Sequence, residues 1–202
     1  MKRLSLYVTA IFILIFSGIC FAAEVPHAIA GFVLGNPIDD VKDRLLMSTD
    51  LPIRYRESLR EVEIKPIKGF KSGLITYGTC RDPGQIIRIK LKYAESSKNF
   101  YETLLKRFKK RFGEPDEWQG DPFHIVLDWK WSFKDKGGNR ISLHLQHNTK
   151  DVEEKIGNAV KLTSTTALEA EWKCQEEKTA SISTRKTEKQ ESPIDWENMI
   201  PQ

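Results

Sequence analysis

The sequence predicts an α+β fold: a mostly antiparallel β-sheet with helices packed on one face. Three observations carry this. First, Phe123, Ile125, Leu127, Trp129, Trp131 and Phe133 alternate with polar residues. After Asp135-Lys136-Gly137-Gly138-Asn139, Ile141, Leu143 and Leu145 alternate with Ser142, His144 and Gln146. A period of two on both sides of a glycine-bearing turn is a β-hairpin with one apolar face and one wet face. Second, Phe100, Leu104, Leu105, Phe108 and Phe112 lie on one stripe of a helix. Third, strand-like runs follow one another between helices, and such runs pair as antiparallel neighbours.

Taken from the N-terminus, the chain opens with a positive Met1-Lys2-Arg3, a largely apolar Leu4–Phe16 and small residues up to Ala22. This is the pattern of a secretory signal peptide over residues 1–22, with cleavage before Ala23. The alternative is an uncleaved anchor, because Leu4–Ala23 is long enough to span a bilayer. Ile19 stands immediately ahead of Cys20, where a lipidated cysteine needs a small residue. The expected location is therefore periplasmic or secreted, or tethered to the membrane by the N-terminal segment. Residues 23–178 form one domain, and 179–202 a polar tail with too few apolar residues to offset ordering entropy. Ile194, Trp196, Met199 and Ile200 interrupt that tail as a candidate docking segment.

Within the domain, Ile29–Leu34 predicts a short strand. Pro37–Met47 predicts a helix, with Asn36 as N-cap and Asp39 and Asp40 in the first turn. Ser48–Glu57 reads as irregular around Pro52, and Glu61–Ile67 as a weakly alternating strand in which Pro66 marks an edge position or the strand end. Gly69–Tyr77 is a strand and Gly78–Gly84 a loop. Ile87, Ile89, Leu91 and Tyr93 alternate with Arg88, Lys90 and Lys92, a half-buried strand whose outward face is basic. The helix Ser97–Phe112 ends at Gly113 and Pro115. The central hairpin follows, then a charged loop from Thr149 to Asn158, a last strand Ala159–Ser164 and a helix Thr165–Glu177. No internal repeat is visible.

Cys80 and Cys174 are the two cysteines beyond the leader. An even count in an exported chain predicts a disulfide, closing a loop of about 95 residues and contributing roughly 4–5 kcal/mol in the chain-entropy model. No CxxC or Cys/His spacing supports a metal site in its place.

The chain has 32 basic and 28 acidic residues. Lys2 and Arg3 belong to the leader, so the rest carries only about +2, too little to imply nucleic acid. No nucleophile elbow, phosphate loop, dinucleotide fingerprint or HExxH motif is present. No cofactor is implied, and the enzyme class stays open with the balance against catalysis. His144 and His147 point to opposite faces of a strand and cannot chelate together. His124, Asp128 and His144 share the hairpin's wet face, where a carboxylate beside imidazoles can support acid–base work.

The basic residues are the stronger binding candidates. Arg88, Lys90 and Lys92 line one strand face, with Lys130 as a neighbour. Lys106, Arg107, Lys109, Lys110 and Arg111 crowd the end of the adjoining helix. Such a surface suits an envelope protein or an anionic wall or lipid component. Trp129 and Trp131 read as core, whereas Trp118 and Trp196 lie where an exposed aromatic can anchor a contact.

The run Ile29–Leu45, a strand, a glycine and a short helix, resembles the start of several small exported bacterial α+β domains. The run Ile86–Pro115, with its strand, helix and closing Phe112-Gly113-Glu114-Pro115, is similar to the same kind of domain. Small outer-membrane assembly lipoproteins of the SmpA/OmlA type carry comparable pieces, and this chain departs from them in the residue ahead of Cys20. The resemblance covers about a third of the chain and carries over no catalytic residues. It implies a binding or assembly role. Residues and resemblance together lead to the expectation of a non-enzymatic periplasmic binding or envelope-assembly factor. The alternatives are an inhibitor of an exported enzyme, presenting the Cys80 loop, and a metal-dependent or acid–base hydrolase.

Overall fold

The computed structural model describes residues 24–151 and 155–187, the last six as backbone only. The predicted signal peptide, the tail beyond Thr187 and Trp196 lie outside the described residues. Among the described residues no helix is long and apolar enough to cross a membrane.

A small ribbon comes first: β1 (Ala28–Ile29) pairs with β2 (Phe32–Val33). The single strand expected over Ile29–Leu34 is folded back on itself at Ala30 and Gly31, both at positive φ (51° and 78°). Two positive φ values are what a tight two-residue hairpin requires. Arg44 holds this turn. Its guanidinium donates to the carbonyls of Ala30 (2.7 Å) and Gly31 (3.0 Å) and lies 4.0 Å from the centre of the Phe32 ring.

The main body is one eight-stranded antiparallel sheet of order β3-β4-β5-β6-β10-β9-β8-β7. Its strands are β3 (Leu45–Ile53), β4 (Arg56–Ile64), β5 (Phe70–Gly78), β6 (Ile86–Tyr93), β7 (Glu117–Trp118), β8 (Val126–Lys134), β9 (Arg140–Asn148) and β10 (Gly157–Ser164). Helix α1 (Lys98–Phe112) follows β6, and α2 (Thr165–Thr187) follows β10. The topology is thus four strands and a helix, twice over, joined where β6 pairs with β10. A sheet demands alternation and turns, not particular residues, so this repetition leaves no repeat in the sequence.

One face of the sheet is apolar. Val62, Ile75, Ile89, Leu91, Trp131, Leu143, Leu145, Val160 and Leu162 are all buried there. The 3-10 helix Ile38–Arg44 covers one part of this face through Ile38 and Val41, and α1 covers another. Ser97 caps α1 by accepting the N–H of Phe100, and Gly113 ends it at φ 84°. The indole N–H of Trp131 donates to the Gly113 carbonyl (2.9 Å), which fixes the helix end over β8.

The α+β class and the antiparallel sheet are as the sequence predicts. The 3-10 helix and α1 share one face, but α2 crosses the end of the other. Tyr77 belongs to the main core, while its neighbour Gly78 points the opposite way, where an added Cβ would run into Glu171 of α2. Leu168 sits there on Leu59 and Ile87, a second and smaller core. The helix also runs ten residues beyond the predicted Glu177, so residues 179–187 are helical and not part of a structureless tail.

Three further segments differ from expectation. The predicted helix Pro37–Met47 is a 3-10 helix that stops at Arg44, and Leu45 already opens β3. The cap is Pro37, and no side chain caps it. Ser48–Glu57 is not irregular coil but the rest of β3 and its turn into β4. Register shifts between Leu46 and Leu51 and between Pro52 and Ile53 break the period of two that would have revealed the strand. Thr49 fills the first shift, accepting the N–H of Glu63 and donating to the Leu46 carbonyl. Lastly, the central hairpin begins at Val126, so Phe123 and His124 precede it. Phe123 is 83% exposed, and His124 takes φ 56° in a turn held by the Asp121 carboxylate.

Candidate functional site

The polar face of the sheet carries a basin of about 430 Å³ over the paired strands β6, β10, β9 and β8. Its floor is set by register. Lys90 of β6 lies directly opposite Lys161 of β10, Lys161 opposite His144 of β9, and His144 opposite Lys130 of β8. Alternation along each strand turns all four side chains to the face away from the core. Directly opposed like charges destabilise a strand pair. Lys90 against Lys161 places two ammonium-bearing side chains side by side on the basin floor.

The anionic side of the basin is Asp128, Asp121 and Asp151, with Gln146 among them. His144 is only 6% exposed, and its Nδ1 lies 3.2 Å from Asp128 Oδ1. A carboxylate can only accept, so the imidazole Nδ1–H donates and Nε2 is the ring nitrogen left for a partner. Asp121 is engaged by its own turn, accepting the N–H groups of Phe123 and Val126. These bonds, Val126 first, hold its carboxyl below the usual aspartate range. Lys130 is paired with Glu117 at 2.8 Å. Lys90 makes no ion pair among the described residues.

Of the sequence candidates, the structure brings together Lys90, Asp128 and His144. His124 is not with them. It is exposed on the turn before β8 and packs beside Trp118, with ring centres 5.6 Å apart. The chain leaves the strand before reaching it, so the expected meeting of His124 with His144 does not occur. Arg88 is a structural cation. Its Nε donates to Thr163 Oγ1 (3.3 Å), and burial pushes its guanidinium below the ordinary value despite nearby Glu61. Lys92 donates to the Lys155 carbonyl (3.2 Å). Burial, then repulsion from Lys71, Lys155 and Lys90, lowers its ammonium.

Lys106, Arg107, Lys109, Lys110 and Arg111 lie on α1, over the apolar face, so the two basic groups are on opposite sides of the sheet. Lys109 pairs with Glu114 (2.6 Å) and Arg111 with Glu24 (2.8 Å). Trp118 is half-buried against Trp129, with ring centres 4.7 Å apart, and is not a free anchor.

Cys80 and Cys174 are bonded, with S–S 2.01 Å and Cα–Cα 5.9 Å. Beside them lies an arrangement that the sequence reading missed. Glu171, one turn earlier on α2 and 1% exposed, accepts the backbone N–H groups of Cys80, Arg81 and Asp82 at 2.9, 2.9 and 3.0 Å. Its only sequence signal is a spacing of three from Cys174, which puts both on one helix face.

Lys161, Gln146, Asp121 and Asp151 were also missed as site residues. Lys161 alternates with Val160 and Leu162 and could have been read as facing outward. The other three needed the fold. Chemically the basin offers ammonium donors, carboxylate acceptors, a side-chain amide and one imidazole acceptor. Among the described residues no group of three or more His, Cys, Asp or Glu side chains is placed to hold a metal ion. Compared with known protein families, curated proteins and solved structures, the chain matches none.

Proposed function

We propose that this protein is a non-enzymatic binding or assembly factor of the bacterial envelope, exported by its leader, which takes its partner on the polar face of the sheet. The observation that carries the reading is the opposition of Lys90 and Lys161 inside a concave basin. Two ammonium groups side by side in a concave site attract an anionic group of a partner. The carboxylates and amide around it suit the rest of a hydrogen-bonding partner, such as a wall glycopeptide or the polar rim of an envelope protein. The resemblance of Ile29–Leu45 and Ile86–Pro115 to small assembly lipoproteins points the same way. The test is recovery of the tagged protein from gently cross-linked envelopes at low and high salt. A specific partner that is lost at high salt supports the reading, because exposed charge contacts are screened. Undiminished recovery at high salt contradicts it.

A second reading rests on the loop Cys80–Gly84. Arg81, Asp82 and Pro83 are exposed while the loop is fixed by the disulfide and by Glu171. A preorganised protruding loop loses little entropy on docking, as an inhibitor of an exported enzyme requires. Assays against wall hydrolases and exported proteases test it, and silence across the panel removes it.

A further inference from the structure

On the opposite face from the basin, α1 packs on the sheet and leaves a groove along one side. Its stripe residues Leu104, Leu105, Phe108 and Phe112 are only partly buried. The sheet residues beneath, Leu143, Val160 and Leu162, are at most 3% exposed. Between the two lies a cavity of about 340 Å³, at the lower end of the range for small-molecule sites. Ile29 of the N-terminal ribbon and Tyr93 also line it. The floor and walls are otherwise aliphatic and aromatic, and water gains few hydrogen bonds there.

The rim is cationic. Arg107 and Arg111, one helical turn apart, both border the cavity. Arg111 is held by Glu24, both being well exposed, whereas Arg107 pairs with no carboxylate among the described residues. Lys106, Lys109 and Lys110 add to the positive field on the same helix. An apolar slot bordered by guanidinium groups complements a molecule with one alkyl chain and one anionic head.

We propose that this cavity binds a single-chain anionic amphiphile, a long-chain alkyl carboxylate, with its chain between α1 and the sheet and its carboxylate at Arg107. The binding is independent of the basin, which lies on the other face. It also gives the cationic end of α1 a role that helix stability does not require.

The experiment is calorimetric titration of the whole chain without its leader, using octanoate, decanoate and dodecanoate below their micelle concentrations. One equivalent binds, and affinity rises about fourfold for each added methylene, as burial of alkyl surface requires. Arg107→Glu weakens decanoate about tenfold, the loss of one charge-assisted contact, and leaves decyl glucoside, which has the same chain and no charge, unaffected. Leu104→Trp fills the cavity from the helix side and abolishes binding of both; thermal melting of each variant shows that it still folds.

Absence of saturable binding, affinity independent of chain length, or indifference to Arg107→Glu overturns the proposal. So does decanoate binding only after residues 188–202 are deleted, which would make the chain's own C-terminal segment the occupant. A dimer that the amphiphile dissociates would make the occupant a second copy, and overturns it equally.

Discussion

The carboxylate of Glu171 accepts the backbone N–H of Cys80 at 2.9 Å, and three residues further along the same helix Cys174 is covalently bonded to that cysteine. One turn of α2 thus grips the β5–β6 loop twice, once by a disulfide and once by a buried anion with three N–H donors. This double grip joins the end of the first four-stranded unit to the helix of the second.

The anion half of the grip is tested by Glu171→Gln. The amide keeps the shape but turns an NH2 group toward backbone donors, so at least one buried N–H loses its acceptor. Stability falls by about 2 kcal/mol, measured by urea unfolding. Gly78→Ala, which drives a Cβ into the Glu171 carboxylate, costs about 1–3 kcal/mol through overpacking. Wild-type stability in both variants would show that the loop is held by the disulfide alone.

The covalent half is tested by Cys80→Ser with Cys174→Ser. Opening a loop with a sequence separation of 94 removes roughly 4–5 kcal/mol in the chain-entropy model. Because Glu171 and the disulfide hold the same loop, combining these changes with Glu171→Gln departs from additivity by more than about 0.5 kcal/mol. Strict additivity in the double-mutant cycle would mean that the two contacts act separately.

Asn158 secures the other helix. It is fully buried; its amide donates to the carbonyls of Glu95 and Ser97 at the start of α1 and its oxygen meets His147 Nδ1 at 2.6 Å. His147 in turn stacks on Tyr101, with ring centres 5.2 Å apart. Asn158→Ala leaves several buried groups without partners and costs about 3 kcal/mol. Hydrogen exchange then rises selectively in α1, and unchanged exchange in α1 would remove Asn158 as its anchor.

The turn before β8 is acid-sensitive. Backbone bonds from Val126, Phe123 and Ile125 hold the Asp121 carboxyl below its ordinary value of 3.8. A depressed folded-state pKa means stabilisation that is present above the ordinary value and lost as pH falls through the lowered one. Trp118, beside this turn, therefore changes its fluorescence only below about pH 3.8. Asp121→Asn is expected to abolish the transition. The same acid transition in that variant would assign it elsewhere.

Legibility in the sequence followed the regularity of each element. α1 was readable to within a residue because its stripe, a serine cap at Ser96 or Ser97 and its Gly113 stop agree. The β8–β9 hairpin and β6 were readable from their alternation, and β5 as a strand-forming run between glycines despite Gly73. β3 was not, since its register shifts and Pro52 hide the alternation, and the β1–β2 ribbon was too short to display its reversal. The disulfide followed from cysteine count and the expectation of export, but Glu171 did not, because a lone Glu on a charged helix carries no sign of its burial. Half of the basin was visible as the wet faces of β6, β8 and β9. Its other half depended on knowing that β10 lies between β6 and β9, a long-range pairing that no local pattern specifies.

The polar face, with Lys90 opposite Lys161, is the surface that we propose takes a partner. The most direct measurement is side-by-side recovery of partners from cross-linked envelopes by the wild-type protein, by Lys90→Glu with Lys161→Glu, and by Lys109→Glu with Lys110→Glu. Loss of the partner by the basin variant, about tenfold or more, with recovery retained by the helix variant, is the result predicted here. Equal recovery by the wild type and the basin variant would contradict the assignment.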